Sequence, residues 1–90
     1  MERRREARLI ANTPVMVTLQ GMLGDPQMAA NVLDMAGSGL RLRTAMPVPS
    51  GARVKVETAE TLMLGEVLRC EPLDEGFALG LALSEVRARS

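Results

Sequence analysis

Arginine crowds the start of the chain: Arg3, Arg4, Arg5 and Arg8 stand together, tempered only by Glu2 and Glu6. A guanidinium is a planar fork of donors that suits phosphate oxygens and the acceptor edge of guanine, whereas lysine acts as a point charge. Lysine is nearly absent, with Lys55 its single representative. A second constellation follows at Asp34-Met35-Ala36-Gly37-Ser38-Gly39, where a carboxylate precedes a glycine-rich turn that opens into Leu40-Arg41-Leu42. The chain as a whole is neutral, with 11 basic and 11 acidic residues. A local arginine cluster on such a body points to a small anionic ligand more than to long nucleic acid.

Other chemistries are excluded by what is missing. The sequence has no histidine and one cysteine, Cys70. An intramolecular disulfide, the usual Cys/His zinc sites and the Ser-His-Asp or Cys-His catalytic arrangements therefore drop out. No catalytic residue, no metal and no cofactor are expected, and the chain is not read as an enzyme. Phe77 is the lone aromatic residue. Single-strand binders offer several aromatic platforms, so any base stacking here must use arginine planes, and a polynucleotide partner is not expected.

The elements that position these residues come from 90 residues, enough for one domain with a modest core. Apolar runs are short, so no membrane insertion is expected. No apolar signal region follows the basic start, and a cytoplasmic location is the expectation. Residues 1–12 read as a basic arm, in which 3–10 fits either a short helix or an ordered loop. Residues 13–90 read as the folded domain. From Thr13 onward the period is two: Val15, Val17 and Leu19 face one way, and a second strand is expected over 28–34. Residues 35–39 must bend, after which Leu40 and Leu42 point inward and Arg41 and Arg43 outward. Ala52, Val54 and Val56 mark a further strand, and 61–71 another whose alternation slips near Gly65, as a bulge would cause. The clearest alternation is Phe77, Leu79, Leu81 and Leu83. The residues after 85 are too few for a substantial helix. Five or six short strands with turns between them argue for a small antiparallel barrel or sandwich.

A basic RxxxR arm, then a strand, then a [D/N]xSxxG turn opening another strand resembles the PilZ domain. The resemblance extends over nearly the whole chain, because Gly65-Glu66-Val67-Leu68-Arg69 and Gly76-Phe77-Ala78-Leu79-Gly80-Leu81 look like the closing strands of that fold. It implies an all-β fold, a small antiparallel β-barrel of about six strands carrying a basic N-terminal arm. It also implies a ligand, the bacterial second messenger cyclic di-GMP, and a role as signalling receptor rather than catalyst. By resemblance Arg4 and Arg8 are the motif arginines and Arg5 a third contact. Arg3 holds the position whose arginine often accompanies a stacked pair of ligand molecules. Asp34 is the expected reader of the guanine N1–H and N2–H₂ donors, and Gly39 lets the backbone approach the ligand or adopt a positive φ. The chain departs from the motif at Ala36, which stands where the family has serine. The lost hydroxyl is worth roughly 0.5–1.5 kcal/mol, up to about tenfold in affinity. Ser38 is nearby but off the motif position.

Plainer roles stand beside these. The arginines would also suit a solvated tail, Asp34 a cap of the turn, and Arg41 and Arg43 an exposed strand face. The methionines are read as core and rim packing, Cys70 as a buried or half-buried small hydrophobe, and Asp74 and Glu75 as solvated turn residues. A messenger receptor would act by changing the arm position or surface seen by an effector protein, and a homodimer is compatible with exposed strand edges. The alternative is a PilZ-fold interaction module that no longer needs nucleotide.

Overall fold

The structure is a computed structural model that describes residues 10–89. The RxxxR arm, with Arg3, Arg4, Arg5 and Arg8, lies outside the described residues. Six strands form: β1 (Pro14–Gln20), β2 (Gln27–Ala36), β3 (Gly39–Thr44), β4 (Arg53–Glu57), β5 (Thr61–Pro72) and β6 (Phe77–Ala88). All pair antiparallel, in the closed order β1-β2-β3-β6-β5-β4. The expected small barrel is the fold observed.

The core follows from the alternation. Val15, Val17 and Leu19 of β1, Val54 and Val56 of β4, and Leu40 and Leu42 of β3 are all buried. So are Met63 and Val67 of β5, and Leu79 and Leu81 of β6. With one aromatic residue in the chain, aliphatic packing carries the fold, each fully buried side chain being worth about 1.5–3 kcal/mol. Val48, from the β3–β4 connection, is also buried and joins the same cluster. Cys70 is half-buried against the core, as expected. Met63 is core, Met28 and Met35 pack on it, and Met22 and Met46 are exposed.

Three departures from plain alternation matter. Between Val32 and Asp34 the β2·β3 register shifts, leaving Leu33 as an extra residue. The β5·β6 ladder shifts twice, between Leu64 and Gly65 and between Val67 and Arg69, so that Ser84 and Leu68 are the extra residues. A shift falls at Gly65 as expected, but its extra residue is Ser84 on β6, and β5 itself keeps Met63 and Val67 on one face. The bare backbone there is required: a Cβ on Gly65 would sit 2.5 Å from the Ala82 carbonyl oxygen. Two strands are also longer than the sequence suggests. β2 continues past Asp34 to Ala36, and β6 runs on to Ala88 rather than giving way to a short tail. Continuous pairing with β3 and β5 holds these ends extended.

Candidate functional site

The Asp34–Gly39 motif is a β-hairpin tip. Ala36 pairs with Gly39, so Gly37-Ser38 is a two-residue loop. Gly37 has φ 58° while Ser38 keeps an ordinary negative value, the pattern of a type II′ turn. The glycine whose conformation the turn demands is therefore Gly37. Gly39, expected to approach a ligand or take a positive φ, does not have a positive φ; it is half-buried with the Ala36 carbonyl oxygen 3.4 Å from where a Cβ would lie.

The turn explains the motif spacing. Asp34 and Ala36 are two residues apart and share the outer face, and both are exposed. Gly39 sits directly across from Ala36. The bulge at Leu33 makes this possible. Val32 faces the core, so strict alternation would send position 34 inward as well. The extra residue reverses the parity: Met35 packs against the core and Asp34 turns out to solvent.

Once outside, Asp34 stands opposite Arg41, with Arg41 Nη1 donating to Asp34 Oδ2 at 3.0 Å. Both side chains are more than half exposed, at 55% and 59%, so this pair contributes at most about 1 kcal/mol to the fold. The row continues across the barrel. Arg41 pairs with Gly80 and Gly80 with Arg69, giving Asp34–Arg41–Gly80–Arg69 over about 14 Å at the usual strand spacing. Gly80 keeps the row low in its middle: a Cβ there would lie 3.2 Å from Arg69 Cγ, because the arginine stem crosses the bare backbone. Leu68, pushed outward by its own bulge, is 58% exposed beside it.

These residues line an open groove of about 470 Å³ that also takes in Ala36, Gly39 and Glu71. Its chemistry is mixed: a carboxylate at one end, two guanidiniums along it, small residues as its floor and a leucine at its rim. That is a surface able to accept a flat polar ring with donors at one edge and negative charge nearby. Ser38 does not line it.

Ile10, the first described residue, is held at the entry to β1. Its carbonyl oxygen accepts from the Thr13 hydroxyl at 2.6 Å, and Asn12, at φ 70°, turns the chain so that its N–H donates to the Val32 carbonyl at 2.7 Å. The chain thus enters β1 two residues along β2 from Asp34.

The expected roles divide accordingly. Asp34, Ala36 and Gly39 come together at one tip, and the four arm arginines lie outside the described residues. Arg43 is an exposed strand residue as expected, paired with Asn31 and Ala78 one row below the groove's charged row. Asp74 and Glu75 are exposed in the β5–β6 turn. Nothing in the strand pattern singles out Arg69, Leu68 or Gly80, and it marks Arg41 only as an outer-face residue. Arg41 had a signal, because positions 34 and 41 are equidistant from the Gly37-Ser38 turn. Leu68 and Arg69 had none, because their aim depends on a bulge without a glycine.

Comparison with curated proteins and with solved structures gives no significant match. The family model of the PilZ domain matches residues 2–90. Motif order, six-strand barrel and this whole-length match agree, and the chain belongs to the PilZ domain family, a family of cyclic di-GMP receptor domains.

Proposed function

We propose that this protein binds cyclic di-GMP between its arginine arm and the β2–β3 hairpin. The observation that carries the reading is the outward turn of Asp34 at the end of a groove beside which the arm joins the barrel. Arg8 is only two residues before Ile10, a tether of at most about 7 Å of backbone, which supports a role for it at a ligand seated on Asp34. In this reading Arg4 and Arg8 take phosphate and guanine acceptors and Arg3 and Arg5 add charge-assisted contacts. Asp34 accepts from the guanine N1–H and N2–H₂. Ala36 and Gly39 give the base close access to the backbone. The exposed pair with Arg41 costs little to rearrange, and a carboxylate has lone pairs to spare for both partners.

Binding by these groups changes the arm's position and the outer surface, which an effector protein reads in the cytoplasm. No enzymatic step, cofactor or metal enters. Ala36, which lacks the motif hydroxyl, favours a second reading in which the barrel serves as a protein-interaction module without nucleotide.

Calorimetric titration with cyclic di-GMP separates the two. The receptor reading expects saturable binding that is lost in Arg8→Ala and Asp34→Ala and is absent with GTP; the stoichiometry reports whether one or two ligands are held. No heat, and no rise in melting temperature at high ligand concentration, would overturn it and leave the interaction module.

A further inference from the structure

β6 outruns its neighbour on one side. Its pairing with β3 ends at Ala82 opposite Gly39, and the last bond to that hairpin is from Leu83 N to Ser38 O at 2.8 Å. Beyond the bulged Ser84, residues 85–88 pair with β5 alone: Glu85 with Leu64, Val86 with Met63, Arg87 with Leu62 and Ala88 with Thr61. Among the described residues nothing pairs with their other edge.

The direction of the free groups can be worked out. Arg89 N donates to the Glu60 carbonyl at 2.8 Å, on the β5 side. Backbone groups alternate along a strand, so those of Arg87 and Glu85 also point to β5, and those of Val86 and Ala88 point away from it. Exposed edges with free donors and acceptors invite pairing, and proteins commonly block them with charged side chains, lysine above all. This edge instead carries charges of opposite sign two residues apart, Glu85 and Arg87, already in an ion pair with each other.

From this we infer that the 84–88 edge of β6 is a self-complementary interface for a second copy of the same chain. The geometry is an antiparallel pairing about a two-fold axis through Val86. Val86 then meets its own counterpart as a hydrogen-bonded pair, using the N–H and C=O that point outward. Glu85 lies opposite Arg87 of the second copy, and Arg87 opposite its Glu85. These are the closer, non-hydrogen-bonded positions of an antiparallel ladder, where cross-strand charges act most strongly. Ser84 lies opposite Ala88. The exposed Val86 side chain, 41% accessible, covers its counterpart on the other face of the ribbon.

Charge selects this register. A two-fold axis through residue 85 would place Glu85 against Glu85, and one through 87 would place Arg87 against Arg87. Only the axis through Val86 sets each of these two charges against its opposite. The contact is short, well under the size of a standard interface, so the dimer is weak, with a Kd on the order of 10⁻⁴ M.

The test is sedimentation equilibrium of the full 90-residue chain, without cyclic di-GMP and at low salt, so that its outcome is independent of ligand binding. Wild type should show a monomer–dimer equilibrium. Val86→Pro removes only the outward N–H, which an edge strand tolerates, and should weaken association at least about tenfold. Glu85→Arg and Arg87→Glu should each weaken it about tenfold, and the double exchange Glu85→Arg with Arg87→Glu should restore it to within about threefold. Unchanged far-UV circular dichroism and unfolding midpoints show that the variants remain folded, and recovery in the double exchange does not depend on the proline variant. A monomeric mass up to about 1 mM, association unmoved by Val86→Pro, or failure of the exchange to rescue would overturn the inference.

Discussion

The two halves of this barrel are built differently. Around β1 and β4 the ladders run without a register shift, and every second residue goes straight to the core. Across β2, β3, β5 and β6 the ladders slip three times, at Leu33, Leu68 and Ser84. The regular half is a wall. The bulged half re-aims side chains, and the candidate groove lies there, with Asp34 at one end and Leu68 and Arg69 at the other. The difference teaches that the outer surface of a small barrel acquires its chemistry where strict alternation is given up, at one extra residue per site.

Deletion is the severest way to test that contrast. Removing Lys55 from β4 forces either Val54 or Val56 out of the core and a polar residue in. That should cost several kcal/mol, a large part of the roughly 5–15 kcal/mol that stabilises a small domain, and should appear as loss of the cooperative urea transition. Removing Leu33 should do no such thing. Val32 against Leu42 and Asp34 against Arg41 are already in a register that a bulge-free ladder would keep, so the chain should fold and unfold cooperatively. If both deletions behaved alike, the contrast would fail.

Truncation in the core comes next. Met63 is fully buried and pairs with Val56, and Met63→Ala should lower stability by about 2–5 kcal/mol in denaturant unfolding. The affinity of the folded fraction for cyclic di-GMP should not move. Asp34→Ala should do the reverse: unfolding free energy within about 1 kcal/mol of wild type, since it removes only an exposed pair, and calorimetric affinity down by tenfold or more. The smallest effect belongs to Ala36→Ser. Restoring the motif hydroxyl should tighten binding by up to about tenfold with no measurable change in stability.

The same contrast explains what could be read from the sequence. Phe77, Leu79, Leu81 and Leu83 alternate without interruption, and the strand they predict is there, as are the paired valines of β1 and β4. Gly65 marks the place of a shift, because the backbone of β6 approaches it too closely for a side chain, but the extra residue is Ser84 on the opposite strand. Leu33 and Leu68 announced nothing: an extra leucine in a strand looks like any other apolar residue, and only the pairing register shows that it belongs to neither face. Pattern alone therefore ends β2 at Asp34, two residues short, and the outward aim of Asp34 is implied by the family resemblance rather than by alternation. The positive φ at Gly37 rather than Gly39 was hidden in the same way, because a Gly-Ser-Gly run does not say which glycine opens the turn until the pairing of Ala36 with Gly39 is known.

Barrel closure has a consequence in time. The hairpins β1–β2, β2–β3, β4–β5 and β5–β6 join strands adjacent in sequence, whereas β1–β4 and β3–β6 join strands roughly forty residues apart. Distant pairings of this kind are the slow steps of folding, in small barrels on millisecond-to-second timescales, because loop entropy is lost before contacts compensate it. The arm leads directly into β1, whose pairing with β4 is one of these slow events. Until that seam closes, arm and hairpin tip belong to a chain that is still searching, so a newly made molecule should become ligand-competent only as folding finishes, a coincidence of two rates that stopped-flow refolding with and without cyclic di-GMP would reveal.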